Sequence, residues 1–179
     1  MGFGALLLVT VAYAATRRAP NVPAPEPVVV KRADTDLLPL MLAESLSAYR
    51  GGDYVYGYND CSTFVSDYIR LSGHPLEARI TTKELNSAIH MIPLGFDEVE
   101  TLPNTWEEGD ILVFRYYDLD TRGETGHCGV LLYEGGELCV AHVSSPLRGF
   151  AVTPLREFLD KRYELPLTSP MRCWRARAE

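Results

Sequence analysis

The clearest hydrophobic pattern in the chain follows Cys61. Apolar residues recur after it at three- and four-residue steps, which predicts a helix with one buried stripe formed by Phe64, Val65, Tyr68 and Ile69. Ser72-Gly73 is expected to end this helix, since glycine readily adopts the left-handed conformation that follows a helix C-terminus. Cys61 therefore belongs to the first turn, where free backbone N–H groups and the positive end of the helix dipole stabilise a thiolate.

Shorter patterns predict the other helices. Apolar spacing over residues 35–49 predicts a helix before the Cys61 segment. Thr82 is expected to cap a short helical stretch, and residues 154–159 are expected to form another short helix. Residues 95–105 lack a clear period and are interpreted as a connection.

Strand patterns fill the second half of the chain. Apolar and alternating runs predict strands over residues 111–114, 127–133, 137–143, 150–152 and 171–175. Gly135-Gly136 is expected to join the second and third of these as a hairpin. Residues 118–124 match a calcium-binding loop only in part and are interpreted as a solvated loop. Helices first and antiparallel strands afterwards predict an α+β fold.

The hairpin places two histidines on one face of the sheet. With a two-residue loop, His127 and His142 are diagonal neighbours about 7–8 Å apart at Cα, and Gly129 leaves room between them. Together with Cys61 they supply a thiol nucleophile, a base and an orienting partner. The same three residues could bind zinc, but their spacing is not that of a zinc finger and no fourth ligand is obvious. We therefore predict a Cys-His-His site without metal or cofactor.

Composition narrows the function classes. The chain has 179 residues, 46% of them hydrophobic, which fits one globular domain with a core. A net charge of -7 argues against nucleic acid as a partner. Four cysteines are too few for a disulfide-stapled fold, and Cys128, Cys139 and Cys173 are expected to be free thiols.

The N-terminal region differs from the rest in composition. Residues 1–16 are uncharged and mostly apolar and contain an Ala12-Tyr13-Ala14 cleavage pattern, so they are predicted to be a signal peptide or a short membrane anchor. Residues 17–33 are predicted to be a Pro-rich linker, and residues 34–179 are predicted to be the globular domain that carries the Cys-His-His site. This organisation predicts an exported protein, periplasmic or extracellular, that could associate with a membrane through residues 1–16.

Several short motifs resemble those of the NlpC/P60 family of cysteine peptidases. Asp60-Cys61-Ser62-Thr63-Phe64-Val65 resembles the family's D-C-S-G-F-V nucleophile motif. Gly126-His127-Cys128-Gly129-Val130 is similar to its H-V-G-I strand, with Cys128 in place of an apolar residue. The segments that start at Tyr54, Arg79, Gly109 and Val140 match further family motifs in the family's order.

The resemblance implies a papain-like fold, with the nucleophile helix packed on a small antiparallel sheet. It also implies cleavage of peptide bonds in peptidoglycan stem peptides, often between D-glutamate and a diamino acid. Cys61, His127 and His142 would be catalytic, and Tyr54, Asp60 and Ser62 would bind substrate.

Two other functions remain open from the sequence. One is a papain-like thiol acyltransferase or amidase that acts on a lipid or another amide, because such scaffolds host several chemistries. The other is an inactive binding module of the same fold.

Overall fold

The centre of the fold is a six-stranded sheet in which every neighbouring pair of strands is antiparallel. The computed structural model describes residues 49, 52–100, 102–163 and 165–177, and the side chains of all of these except 161–163. Its elements are α1 (Cys61–Leu71), α2 (Thr82–Leu85), α3 (Ala88–Met91), β1 (Phe96–Val99), a 3₁₀ turn (Pro103–Thr105), β2 (Ile111–Asp118), β3 (Gly123–Glu134), β4 (Glu137–Ser144), β5 (Gly149–Pro154), α4 (Leu155–Tyr163) and β6 (Leu167–Ala176). The strand order is β1-β6-β2-β3-β4-β5. The predicted α+β class is confirmed.

Helix α1 begins and ends where its sequence predicts. Asp60 caps its first turn, and Ser72 caps its last. Gly73 follows with φ of 83°, in the left-handed region that favours glycine. The predicted stripe is buried throughout: Phe64, Val65, Tyr68, Ile69.

The two faces of the sheet carry separate apolar clusters. On one face, α1 packs against β3 and β4, together with Leu85 of α2 and Met91 of α3. On the other face, Phe158 and Leu159 of α4 pack against residues such as Leu131. Alternate residues of a strand point to opposite faces, so neighbours along β3 serve different clusters.

The hairpin between β3 and β4 fixes the register predicted from Gly135-Gly136. Glu134 pairs with Glu137, and the ladder runs to Val130 paired with Ala141. Gly135 and Gly136 have φ of 62° and 86°, as a two-residue hairpin turn of the I′ type requires.

Several element boundaries differ from their predictions. Thr81, rather than Thr82, caps α2, because its hydroxyl accepts the N–H of Glu84 while the Glu84 carboxylate accepts the N–H of Thr81. Residues 96–99, interpreted as part of a connection, form the edge strand β1. β2, β3, β5 and β6 are longer than predicted, and residues 119–122 form the turn between β2 and β3.

The predictions for residues 1–33, and all but Tyr49 of the helix predicted over residues 35–49, lie outside the described residues.

Candidate active site

Asp60 is a buried residue that caps the N-terminus of α1. Its carboxylate accepts the backbone N–H groups of Ser62 and Thr63 at 3.0 Å and of Gly57 at 2.7 Å, and it forms an ion pair with Arg79. Burial acts to raise the pKa of Asp60, but the hydrogen bonds from Thr63, Gly57, Arg79 and Ser62 together hold it below its usual range. A charged carboxylate is therefore fixed directly before Cys61.

The turn that precedes Asp60 is tied to the same ion pair. Residues 55–59 form a tight turn that is closed by an isolated β-bridge. In this bridge the N–H of residue 59 donates to the carbonyl of residue 55 at 2.7 Å. Arg79 donates to the carbonyl of Gly57, while Asp60 accepts the N–H of Gly57. The turn presents two strongly exposed aromatic side chains, Tyr56 and Tyr58.

The Cys61 thiol lies at the buried start of α1, where 7% of the residue is exposed. A hydrogen bond with the Cys128 thiol has the largest effect on its pKa and lowers it. Burial acts in the opposite direction, whereas the charge of His127 and a hydrogen bond from it lower the pKa further. The net result is a pKa well below that of an ordinary cysteine, so the thiolate form of Cys61 is favoured.

The two histidines form a hydrogen-bonded pair. His127 Nε2 and His142 Nδ1 are 2.7 Å apart, and the rings meet edge to face at 80°. On its other side, His142 Nε2 lies 2.9 Å from Thr153 Oγ1. Because Nε2 of His127 is engaged by His142, Nδ1 is the ring nitrogen that remains for Cys61. Hydrogen bonds therefore run from His127 through His142 to Thr153, and His127 in turn helps to lower the pKa of Cys61.

Aromatic packing holds the imidazole rings in place. Phe158 of α4 lies 5.7 Å from the His127 ring and 5.3 Å from the His142 ring, measured between centroids. Phe114 of β2 pairs with His127 across the ladder and contacts its ring at 6.0 Å. Gly129 is required beside them, since a Cβ there would lie 3.1 Å from His142 Cβ and even closer to neighbouring strand atoms.

Two half-buried tyrosines, Tyr54 and Tyr116, lie close enough to Cys61 for its charge to affect their pKa values. Burial and then the negative charges of Cys61 and Asp60 raise the pKa of Tyr54 to about 12. Burial, the charge of Asp118 and the charge of Cys61 raise the pKa of Tyr116. Both hydroxyls therefore stay protonated at neutral pH and are available as hydrogen-bond donors.

The structure brings the three predicted catalytic residues, Cys61, His127 and His142, into one site, and Tyr54 lies beside it. Asp60 and Ser62 are buried, and both are engaged in the helix cap, where Ser62 Oγ donates to Asp60 at 2.9 Å. Their predicted contact with substrate stays a prediction.

Sequence reasoning did not select three residues that complete the site. Arg79 lies in one of the matching sequence motifs, but the motif does not indicate that its ion pair with Asp60 anchors the helix cap. Thr153 follows from register, because His142 pairs with Ala151 and Thr153 is the next residue on that face. Nothing in the sequence indicates that Phe158 covers the histidines, since this depends on how α4 docks.

Neither a metal centre nor a membrane span is found in the part of the chain that the structure describes. Its His, Cys, Asp and Glu side chains form no group of three or more that could hold a metal ion. None of its helices is long and apolar enough to cross a bilayer.

The structure thus defines the class as an α+β protein with a six-stranded antiparallel sheet that brings a cysteine and two histidines together. No family model and no curated protein matches the chain. One solved structure similar to it is protein LPG0564 from Legionella pneumophila str. Philadelphia 1, described under the family model DUF1460. The identity is 19% and the TM-score 0.33, and the match covers 65% of this chain but 41% of the Legionella protein. Similarity at this level carries no argument about function.

Proposed function

We propose that the chain is a cysteine hydrolase of the NlpC/P60 type that cleaves peptide bonds in peptidoglycan stem peptides. The observation that carries this proposal is the hydrogen-bonded series His127, His142 and Thr153, together with a Cys61 thiol whose pKa His127 helps to lower. A nucleophile, a base and an orienting group in that order are what covalent amide hydrolysis requires. The motif resemblance in the sequence supplies the substrate class.

In the proposed reaction the Cys61 thiolate attacks the scissile carbonyl carbon. The thiol proton resides on Nδ1 of His127, whose Nε2–H then donates to Nδ1 of His142. For this, His142 must be neutral with its proton on Nε2, the nitrogen that faces Thr153 Oγ1. His142 thereby holds the His127 ring in orientation and supports its positive charge.

Collapse of the tetrahedral intermediate breaks the C–N bond. His127 gives its proton to the leaving amine, and a thioester remains on Cys61. Water then attacks the thioester while His127 accepts one of its protons, which releases the new carboxylate and restores the thiolate. The backbone N–H of Cys61 and the protonated hydroxyl of Tyr54 are the donors assigned to the oxyanion.

The proposed substrate determines where the protein works. Peptidoglycan lies outside the cytoplasm, so the proposal requires export, and residues 1–16 have the composition of a signal peptide or short anchor.

The decisive experiment incubates the full chain with defined muropeptides and weighs the products by mass spectrometry. Hydrolysis adds one water across a stem-peptide bond, whereas acyl transfer adds an amine or alcohol acceptor instead. Cys61→Ala should abolish the reaction, and His127→Ala combined with it should add little, because the two act as a unit. Cys139→Ala, which removes another buried thiol, is the matched control and should stay active. Full activity in Cys61→Ala would refute the proposal.

A further inference from the structure

Strand β5 supplies the hydroxyl at the far end of the histidine series. Thr153 Oγ1 lies 2.9 Å from His142 Nε2. Thr153 pairs with Val140 and His142 pairs with Ala151, so the two side chains are diagonal neighbours on one face of the β4–β5 ladder. Both residues are only 5% exposed. The hydrogen bond between them is therefore formed away from bulk water, where the loss of a partner is costly.

The protons of this series have two consistent arrangements, because a hydroxyl both donates and accepts. In the first, His127 Nε2–H donates to His142 Nδ1, and His142 Nε2–H donates to Thr153 Oγ1. In the second, both hydrogen bonds are reversed. A neutral His127 would then carry its proton on Nδ1, the nitrogen that remains for Cys61, and would be unable to take the thiol proton. Only the first arrangement leaves His127 free to act as a base.

A positive charge on the histidine pair also requires Thr153 to accept. When His127 is protonated, both of its nitrogens carry N–H, so His142 accepts at Nδ1 and holds its own proton on Nε2. When the charge lies on His142 instead, its Nε2 again carries N–H. In both cases Thr153 Oγ1 is the acceptor that faces this nitrogen.

The packing of the His142 ring does not select between the two arrangements. Phe158 meets this ring at an interplanar angle of 78° and a centroid distance of 5.3 Å, which restrains the ring plane. An apolar ring accepts no conventional hydrogen bond that would decide which imidazole nitrogen carries the proton. That decision depends on the polar atoms that face the two nitrogens.

We propose that Thr153 is a positioning residue whose Oγ1 accepts Nε2–H of His142 and holds His142 in the tautomer that accepts from His127. The catalytic consequence rests on the proposed function, whereas the tautomer itself does not. Valine at position 153 has a similar shape but no acceptor, alanine is smaller and also lacks one, and serine keeps the hydroxyl.

The first test records side-chain ¹H–¹⁵N NMR spectra at pH 7, which show whether Nδ1 or Nε2 of a neutral imidazole carries the proton. Wild type is compared with Thr153→Ser, Thr153→Val and Thr153→Ala, and urea denaturation checks that each is folded. The His142 signals are assigned by their absence from His142→Asn, and those of His74 and His90 serve as internal references. His142 should carry its proton on Nε2 in wild type and Thr153→Ser, and partly or wholly on Nδ1 in the other two.

The second test measures hydrolysis of muropeptides by the same proteins. Thr153→Val and Thr153→Ala should each lower kcat about tenfold with KM unchanged, and Thr153→Ser should retain most of the wild-type kcat. If wild type hydrolyses no muropeptide, the proposed function fails, while the NMR spectra still decide the inference.

Three NMR results would overturn the inference. One is a wild-type His142 with its proton on Nδ1, a result that needs no variant. Another is an unchanged Nε2–H tautomer in both Thr153→Val and Thr153→Ala. The third is a serine variant that shifts as far as valine, because packing rather than the hydroxyl would then set the tautomer.

Discussion

Removal of the Arg79 side chain tests whether the helix cap is held by the buried ion pair. Arg79→Ala removes the partner of Asp60, a bond to the carbonyl of Gly57 and a 2.7 Å bond to Ser62 Oγ. Loss of one member of a buried pair typically costs about 3–5 kcal/mol, because a charge stays buried without its partner.

The loss of unfolding free energy that we expect for Arg79→Ala is smaller than this. The Arg79 side chain is 28% exposed, so water can replace part of what it supplies. The backbone N–H groups of Thr63 and Gly57, which lower the pKa of Asp60 more than Arg79 does, remain in place. We therefore expect Arg79→Ala to reduce the free energy of unfolding by about 2 kcal/mol.

Urea denaturation followed by tryptophan fluorescence measures this loss, since Trp106 and Trp174 are both buried. Arg177→Ala is the matched control, because Arg177 forms its 2.8 Å ion pair with Asp97 on the surface and should contribute less than about 0.5 kcal/mol. If Arg79→Ala costs no more than Arg177→Ala at pH 7, the ion pair does not hold the cap.

The difference in stability between wild type and Arg79→Ala should depend on pH. The pKa of Asp60 is lowered in the folded protein, so its carboxylate contributes stability that is fully present above its ordinary pKa of about 3.9. That contribution is lost as the pH falls through the folded-state value. The difference between wild type and Arg79→Ala should therefore narrow below about pH 4.

Three further predictions address the histidine pair, the sheet beside it and the reactivity of the cysteines. His142→Ala should leave partial hydrolysis, and His142→Asn should keep more because its amide can still accept from the neighbouring ring; kcat on muropeptides measures both. Gly129→Ala should destabilise the fold by about 1–3 kcal/mol in urea, since its Cβ would lie 2.5 Å from a valine methyl, while Gly123→Ala, with no contact under 3.8 Å, should be tolerated. Iodoacetamide at neutral pH should alkylate Cys61 before Cys128, Cys139 or Cys173, because burial raises the pKa of those three thiols, and peptide mass spectrometry should identify the labelled residue.

Each of these has an outcome that contradicts its reasoning. Equal activity in His142→Ala and wild type would remove the orienting role. A Gly129→Ala protein as stable as Gly123→Ala would mean that the strands yield to the added carbon. Alkylation of Cys128, Cys139 or Cys173 ahead of Cys61 would mean that Cys61 is not the most reactive thiol.

The parts of the fold that could be predicted are those governed by local rules. The capped, amphipathic α1 and the Gly135-Gly136 hairpin each follow from spacing and turn chemistry. The hairpin register in turn places His127 and His142 as neighbours, which their 2.7 Å contact confirms. By contrast, β1 has one fully buried side chain, Phe96, and a single apolar position gives no period to recognise.

The parts that could not be predicted depend on contacts between distant segments. Arg79 reaches Asp60 across 19 positions, and Phe158 contacts the His127 ring from α4, which packs on the face of the sheet opposite α1. No local pattern encodes such docking.

Alternation along β3 places His127 and Cys128 on opposite faces of the sheet. His127 lies against Phe158 of α4, whereas Cys128 belongs with Cys61 to the cluster beneath α1. The β3–β4 ladder reaches Val130, so His127 and Cys128 lie just beyond its last pair. A register slip of one residue would exchange the faces of His127 and Cys128 and would move the base away from His142. The chemistry of the site therefore depends on the turn at Gly135-Gly136, which fixes that register from the opposite end of the hairpin.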